Sequence, residues 1–195
     1  RDIITEQREA ALALLSRFGK ESRVAVMHFT ERANLAASFP AESKQALAAF
    51  NFPAIAGRRT AIFDAALASV RSFNTPDRAE RRIVILISDG LDTTSTANAS
   101  KVISEALESG VSFYVIHIPL YEPRDGRLAP RKTAKGFREL AEKTGGQFFV
   151  VGDARAALDP RAEYDLAPVF KAIADDLLGQ YVVGYYAGDA VRREG

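Results

Sequence analysis

The sequence predicts an α/β fold, an open, doubly wound and mostly parallel sheet with helices on both faces. Two observations support this prediction. Short aliphatic segments alternate along the chain with segments whose apolar residues recur at helical spacing. The clearest strand is the run of five aliphatic residues at 83–87, which indicates burial on both faces, as in the middle of a parallel sheet.

The N-terminal part of the chain alternates helices and strands. Residues 6–18 place apolar side chains on one helical stripe, and Gly19 follows as a stop signal. The apolar run at 24–29 predicts a buried strand, and a shorter strand is expected at 35–39. A small helix is expected at 42–50.

The central part contains the strand at 83–87 between two predicted helices. A loop at 51–60 leads into a helix at 61–73, whose apolar residues again share one face. After the strand, a polar loop at 91–97 precedes a helix at 98–109, and Gly110 marks its end.

The C-terminal part continues the alternation. Its expected elements are a strand at 111–118, a long loop at 119–132, a helix at 133–144, a strand at 147–151, a helix at 165–178 and a strand at 180–186. No internal repeat or linker divides the chain. We therefore predict one α/β domain over 1–178, with an extra strand and tail at 179–195 packed on it.

The composition excludes several classes of function. Without cysteine, the chain has no disulfide framework, Cys-ligated zinc, iron–sulfur cluster or thiol nucleophile. Lys and Arg number 26 and Asp and Glu 25, so the net charge of +1 gives no overall attraction to nucleic acid. The chain has no apolar run near the ~20 residues of a membrane span.

Two oxygen-bearing side chains are candidates for a metal site. Asp89 follows the strand at 83–87, and ligands of open α/β sheets bind outside the carboxyl ends of strands. Thr60 precedes a predicted helix. Each has a structural alternative, since Asp-Gly is a common turn and Thr is a favoured helix cap. A carboxylate and a hydroxyl on neighbouring loops suit a hard cation such as Mg²⁺.

At these residues the sequence resembles a von Willebrand factor type A (VWA) domain, and its C-terminal part resembles a bacterial branch described as VWFA-related. The resemblance covers nearly the whole chain. The segments that carry it are 24–29 (VAVMHF), 57–65 (GRRTAIFDA), 83–92 (IVILISDGLD), 140–149 (LAEKTGGQFF) and 180–186 (QYVVGYY).

The resemblance implies a metal-ion-dependent adhesion site. There an Asp-x-Ser-x-Ser motif after the first strand, a Thr and a later Asp hold a divalent cation, and Thr60 and Asp89 match the last two. The first motif is absent from the chain. The segment 92–96 has Asp-x-Thr-x-Thr spacing but lies in a different loop. We expect the missing strand and its motif to come just upstream of Arg1 in the sequence. In the sheet, this strand would lie between the strands at 24–29 and 83–87.

The function implied is a non-enzymatic adhesion-type module. A bound Mg²⁺ (or Mn²⁺ or Ca²⁺) would recognise a Glu or Asp carboxylate of a protein partner, with Arg58, Arg59 and Asp92 at the rim. The bacterial branch implies an extracytoplasmic location. Two alternatives stay open: a scaffold domain with a degenerate metal site, and a Mg²⁺-dependent phosphoryl-transfer or hydrolytic enzyme, for which the sequence offers no convincing acid–base pair.

Other polar features have simpler interpretations. We expect His28 and His117 to be packed within or at the end of strands, because neither has an acidic or Ser partner at motif spacing. Basic residues of the long loop and the following helix have no interleaved aromatic residues, which favours solvated surface over a nucleic-acid site. They are Arg124, Arg127, Arg131, Lys132, Lys135 and Arg138.

Overall fold

The computed structural model describes residues 23–41, 48–49, 59–73, 81–159, 162 and 164–179. The elements within these residues are numbered in chain order. They are β1 (Val24–Phe29), β2 (Ala33–Ala41), α1 (Ile62–Arg71), β3 (Arg82–Ser88), α2 (Ala99–Ser109), β4 (Val111–His117), β5 (Tyr121–Arg124), β6 (Arg127–Pro130), α3 (Phe137–Glu142), β7 (Phe148–Val150), a 3₁₀ turn (Ala156–Leu158) and α4 (Ala167–Gly179).

A parallel sheet in the order β3, β4, β7 forms the centre of the fold. β3 and β4 pair along their full length, from Arg82 opposite Val111 to Ser88 opposite His117. β7 pairs with the second half of β4. Parallel neighbours need crossover connections, and α2 and α3 provide them. The carboxyl ends of the strands therefore meet at one edge of the sheet.

Helices cover both faces of this sheet. Phe113 and Val115 of β4 pack in one core with residues of α1, α2 and α3, whereas the alternate residues Tyr114 and Ile116 pack against α4. All four side chains are fully buried, because successive residues of a strand point to opposite faces. The predicted doubly wound α/β fold is confirmed.

β1 and β2 form an antiparallel pair, in which His28 lies opposite Asn34. Within the described residues, this pair and the β3–β4–β7 sheet are separate, and β1 makes no ladder with β3. The Ala61 N–H donates to the carbonyl of Thr30, 2.7 Å away, and joins the β1–β2 turn to the start of α1. The central strand expected between β1 and β3 stays a prediction.

The burial expected for β3 is only partial. Of the five aliphatic residues at 83–87, Leu86 is buried and the other four are half-buried, although their side chains pack in the cores on both faces of the sheet. The reason is position, since β4 lies between β3 and β7, whereas β3 has a neighbour on one side only among the described strands.

The segment at 119–132 is not the predicted loop but contains a β-hairpin. β5 and β6 pair from Tyr121 opposite Pro130 to Arg124 opposite Arg127. The two turn residues, Asp125 and Gly126, have φ of 52° and 74°. An Asp-Gly pair with positive φ at both positions is the favoured two-residue hairpin turn.

The remaining predictions differ at boundaries or lie outside the described residues. The helix expected at 133–144 is limited to Phe137–Glu142, and Gly136 precedes it in the left-handed region. The strand at 180–186, the helix at 6–18 and nearly all of the helix at 42–50 lie outside the description. Among the residues described, none of the helices has the length and apolar character needed to span a bilayer.

Candidate metal centre

Asp89 lies at the carboxyl end of β3, directly after Ser88, and is half-buried. Its Oδ1 accepts a hydrogen bond from the Leu91 N–H at 2.9 Å, which closes a local turn. Gly90 has φ of 80°, and a Cβ atom at this position would lie 2.6 Å from Cγ2 of Thr133. The Asp-Gly turn is therefore present, and it leaves the Asp89 side chain at the sheet edge where ligands of such folds bind.

His117 supports the backbone of Asp89 from the neighbouring strand. Its Nε2 lies 3.1 Å from the carbonyl oxygen of Asp89, a distance that suits donation by the imidazole N–H. The ring packs on Phe137 and Phe148, each with a centroid distance of 5.8 Å. Burial lowers the pKa of His117, although the hydrogen bond to Asp89 acts in the opposite direction.

The contact between His117 and Asp89 was not predicted. The packed strand-end position expected for His117 is correct. The hydrogen bond depends on the parallel register that places Ser88 opposite His117, and no local pattern in the sequence specifies this register.

Thr60 lies in the loop before α1 and is half-buried. Its N–H donates to Oγ1 of Thr93 at 2.7 Å, and its carbonyl accepts from the N–H groups of Thr93 at 2.8 Å and Thr94 at 3.2 Å. The alternative role of Thr60 as the cap of α1 is not seen, because the N-cap position is Ala61 and no side chain at that position caps the helix. Backbone hydrogen bonds thus join the Thr60 loop to the loop that follows Asp89.

The start of α1 is instead capped by side chains from the loop after Asp89. The Ile62 N–H donates to Oδ1 of Asp92 at 2.7 Å. The N–H groups of Phe63 and Asp64 donate to Oγ of Ser95 at 3.0 and 3.1 Å, and this hydroxyl donates to Asp92 at 2.6 Å. These bonds satisfy N–H groups that lack partners within the helix. Of the Asp-x-Thr-x-Thr positions at 92–96, only Asp92 caps α1, and its partner in the cap, Ser95, is not one of these positions.

Asp64, in the first turn of α1, is also hydrogen-bonded to the loop after Asp89. Its carboxylate accepts from the N–H and the hydroxyl of Thr96 and from the N–H of Ala97, at 2.8 to 3.3 Å. Burial raises the pKa of Asp64, but the hydrogen bonds from Thr96 and Ala97 outweigh this effect and leave the pKa below its ordinary value. Next in the chain, Asn98 caps α2 by accepting from the Lys101 N–H.

The expected rim residues have different environments. Asp92 is half-buried, and one of its carboxylate oxygens takes part in the cap of α1. Arg59 is exposed, and Arg58 lies outside the described residues. The Thr60 and Asp89 side chains offer an all-oxygen donor set, which suits a hard divalent cation in kind. Within the described part of the chain, no three His, Cys, Asp or Glu side chains are grouped so that they could hold a metal ion.

The arrangement of strands and helices identifies the fold of this chain. Its parallel sheet with helices on both faces is shared with solved structures of VWA domains, so the chain has the VWA fold. The sequence matches no protein-family model and no curated protein.

Three solved structures show the similarity. BatB from Bacteroides thetaiotaomicron is 19% identical with a TM-score of 0.65, over 90% of this chain and 86% of BatB. A von Willebrand factor type A protein from Catenulispora acidiphila is 18% identical with a TM-score of 0.65, over 92% of this chain and 39% of that protein. Proximal thread matrix protein 1 from the mussel byssus, with a zinc-occupied MIDAS motif, is 19% identical with a TM-score of 0.62, over 89% of this chain and 40% of that protein.

Proposed function

We propose that this chain is a non-enzymatic protein-binding module that recognises a Glu or Asp side chain of its partner through a divalent cation at Thr60 and Asp89. The fold supports an interaction module. The observation that carries the metal-dependent proposal is the pairing of the Thr60 loop with the loop after Asp89, through the hydrogen bonds between Thr60 and Thr93. This pairing brings the two candidate loops to one edge of the sheet.

The chain's own residues have distinct roles in this proposal. The Asp89 carboxylate supplies charge, and the Leu91 N–H orients it by binding Oδ1. The Thr60 hydroxyl supplies a neutral oxygen, while its backbone is held by Thr93. Mg²⁺, Mn²⁺ or Ca²⁺ bound here would offer a coordination position to an incoming carboxylate. Arg58 and Arg59 would contact the partner at the rim.

The comparisons supply two further arguments. The mussel byssus protein has a zinc-occupied MIDAS motif, and we extend divalent-metal binding to this chain by analogy of fold. That protein is also a thread matrix protein, in keeping with an adhesion-type role outside the cytoplasm. We accordingly propose an extracytoplasmic location, which fractionation of cells that express the chain would test.

Titration calorimetry with Mg²⁺ tests the metal site directly. We expect saturable binding by the unmodified chain, and loss of binding in Asp89→Ala. Glu108→Ala is a matched control, because Glu108 is an exposed acid near the C-terminal end of α2, at the opposite edge of the sheet. Equal Mg²⁺ binding by the chain and by Asp89→Ala would contradict the proposal.

A second experiment tests carboxylate recognition. Amide chemical shifts are followed while the peptide Gly-Gly-Glu-Gly-Gly, with acetylated and amidated ends so that Glu carries its one carboxylate, is added with Mg²⁺ or with EDTA, and the equally blocked Gln peptide serves as the control. We expect Mg²⁺-dependent shifts around Thr60 and Gly90 with the Glu peptide alone. Identical responses to the two peptides would exclude recognition of the carboxylate.

A scaffold domain with a degenerate metal site is the second candidate. Two observations favour it: Oδ1 of Asp92 serves the cap of α1, and the described residues include no group of three metal-ligating acids or imidazoles. This candidate predicts no saturable Mg²⁺ binding by the unmodified chain. The calorimetric titration therefore distinguishes the two.

A further inference from the structure

We propose that residues 121–135 form a basic arm beside the metal centre, and that this arm binds further carboxylates of the same protein partner. The partner segment would then be acidic over several residues and not at a single Glu or Asp. This inference rests on the proposed function, since one carboxylate of the segment is the group recognised by the cation.

The basic arm has a defined structure. β5 and β6 form its hairpin, with the two-residue turn at Asp125 and Gly126. The Arg131 N–H donates to the carbonyl of Leu120 at 2.7 Å, which extends the pairing beyond the ends of the strands. A hairpin fixed in this way loses little conformational freedom on binding, and this favours its use as a recognition surface.

The base of the arm lies against the backbone next to Asp89. The Ala134 N–H donates to the carbonyl of Gly90 at 2.7 Å. The Thr133 side chain lies close enough that a Cβ atom on Gly90 would overlap it. Just before the arm begins, the Ile118 N–H donates to the carbonyl of Ser88 at 3.0 Å and fixes the chain where it leaves β4. The end of the arm and the chain that leads into it are thus tied to the residues on either side of Asp89.

The charge of the arm is concentrated compared with that of the chain. Residues 121–135 contain five cationic and two acidic side chains, a net charge of +3, whereas the whole chain has a net charge of +1. Glu122 pairs with Arg124 at 2.7 Å and with Arg131 at 3.4 Å.

Three cations of the arm are available to a partner. Arg127, Lys132 and Lys135 are exposed, and none of them has an acidic group within 4.0 Å in the part of the chain that the structure describes. Lys135 does act on Glu139 at longer range, where it helps to lower the pKa of that carboxyl, but Glu139 is paired with Lys143.

An acidic protein segment suits this surface better than a nucleic acid. Proteins that bind single strands place aromatic rings for base stacking among their cations. The aromatic residue of the arm is Tyr121, which is half-buried and so is not free to stack on bases. An acidic segment of a partner could place one carboxylate at the metal ion and its other carboxylates beside the basic side chains of the arm, so that opposite charges meet along its whole length.

The test compares two labelled peptides by fluorescence anisotropy with Mg²⁺ present, one with a single Glu flanked by Gly and one with three consecutive Glu. Two added surface ion pairs correspond to about tenfold tighter binding of the three-Glu peptide by the unmodified chain. In Arg127→Glu/Lys132→Glu we expect this ratio to fall to about one or below, since reversed charges repel the added carboxylates.

Arg155→Glu/Lys171→Glu is the control, because it makes the same change of net charge at the start of the 3₁₀ turn and on α4, outside the arm, and leaves the Glu139–Lys143 pair beside Lys135 intact. We expect the control to keep the ratio, and about 0.5 M salt to suppress it in the unmodified chain. A ratio unaffected by the arm substitutions would overturn the arm while leaving metal-dependent binding of the single-Glu peptide intact. Binding of both peptides in EDTA would instead overturn the proposed function, and tighter binding of a single-stranded oligonucleotide would overturn the assignment to an acidic protein.

Discussion

The backbone N–H of Ile62 donates to Oδ1 of Asp92 at 2.7 Å across 30 positions of sequence. The first turn of α1 is therefore capped by the loop that follows Asp89. Since Thr60 lies just before this turn, the hydrogen bonds that complete the helix also hold the Thr60 loop against the loop that follows Asp89. A substitution that weakens the cap of α1 should therefore also loosen the contact between these two loops.

Ser95→Ala tests the capping of α1 by this loop. The Ser95 hydroxyl accepts from the N–H groups of Phe63 and Asp64 and donates to Asp92, so its removal leaves the helix start without two of its acceptor contacts. We expect a loss of about 1 to 2 kcal/mol in the free energy of unfolding, measured by urea denaturation.

Ser100→Ala provides the control for this substitution. Ser100 is exposed in the first turn of α2, and we expect a change within about 0.5 kcal/mol. Hydrogen exchange adds a local measurement, because the amides of Phe63 and Asp64 should lose protection in Ser95→Ala. Equal stabilities of the two variants would show that the hydroxyl does not cap α1.

The stability of the chain should depend on the charge of Asp64 in acid. Its pKa is lower in the folded chain than in the unfolded chain, because the hydrogen bonds from Thr96 and Ala97 favour the carboxylate. The unfolded state then binds the proton more readily, so the contribution of Asp64 is complete above about pH 4 and is lost as the pH falls below it.

Asp64→Asn removes this contribution. We expect the difference in unfolding free energy between the chain and Asp64→Asn to be largest near neutral pH and to shrink progressively below about pH 4. Urea denaturation at a series of pH values measures it. A difference that stays constant down to about pH 2 would mean that the Asp64 carboxylate has no preferential interaction in the folded state.

The sequence predicts those parts of the fold whose signals are local. Apolar periodicity locates β1, β3, β4, α1 and α2 to within about two residues, and position after a strand places Asp89 at the sheet edge. The β5–β6 hairpin is not predicted, although its Asp125-Gly126 turn is a strong local signal, because the prolines at 119, 123 and 130 favour a loop. Prolines are tolerated in a two-stranded ribbon because each strand has an edge without ladder bonds.

Other parts of the site have no local signal. The caps supplied by Asp92 and Ser95 join positions 30 to 32 residues apart, and the contact of His117 with Asp89 requires the register between β3 and β4. Such pairings arise only when the sheet brings two loops to one edge. Polar residues in a loop after a strand therefore indicate a site, but not which of them are used for capping.

Gly146 is expected to be irreplaceable at the entry to β7. A Cβ atom here would overlap the backbone carbonyl of Phe113 in β4, and the backbone of a central strand cannot move aside as a side chain can. We expect Gly146→Ala to lower the free energy of unfolding by more than about 3 kcal/mol. Gly110→Ala is the comparison, because Gly110 has φ of 66° but open space around it, so that substitution should cost only about 1 to 2 kcal/mol. The opposite order in urea denaturation would contradict the close approach of Gly146 to β4.

The attachment of α4 to the sheet should depend on one buried hydroxyl. Tyr114 of β4 is fully buried, and its hydroxyl donates to Oδ2 of Asp176 at 2.5 Å, near the C-terminal end of α4. Tyr114→Phe keeps the ring in the core but removes the donor to a charged acceptor, so we expect a loss of about 1.5 to 3 kcal/mol in unfolding free energy. Faster amide exchange should be concentrated in α4, because the rest of the ring's packing is preserved.

Tyr121→Phe in β5 is the control, because it makes the same chemical change at a half-buried ring. The hydroxyl of Tyr121 has no hydrogen bond to the described part of the chain. We therefore expect Tyr121→Phe to alter the free energy of unfolding by less than about 0.5 kcal/mol. If Tyr114→Phe is as stable as Tyr121→Phe, the hydroxyl of Tyr114 does not hold α4, and other contacts, such as the apolar packing of Phe170 and Ile173, secure the helix.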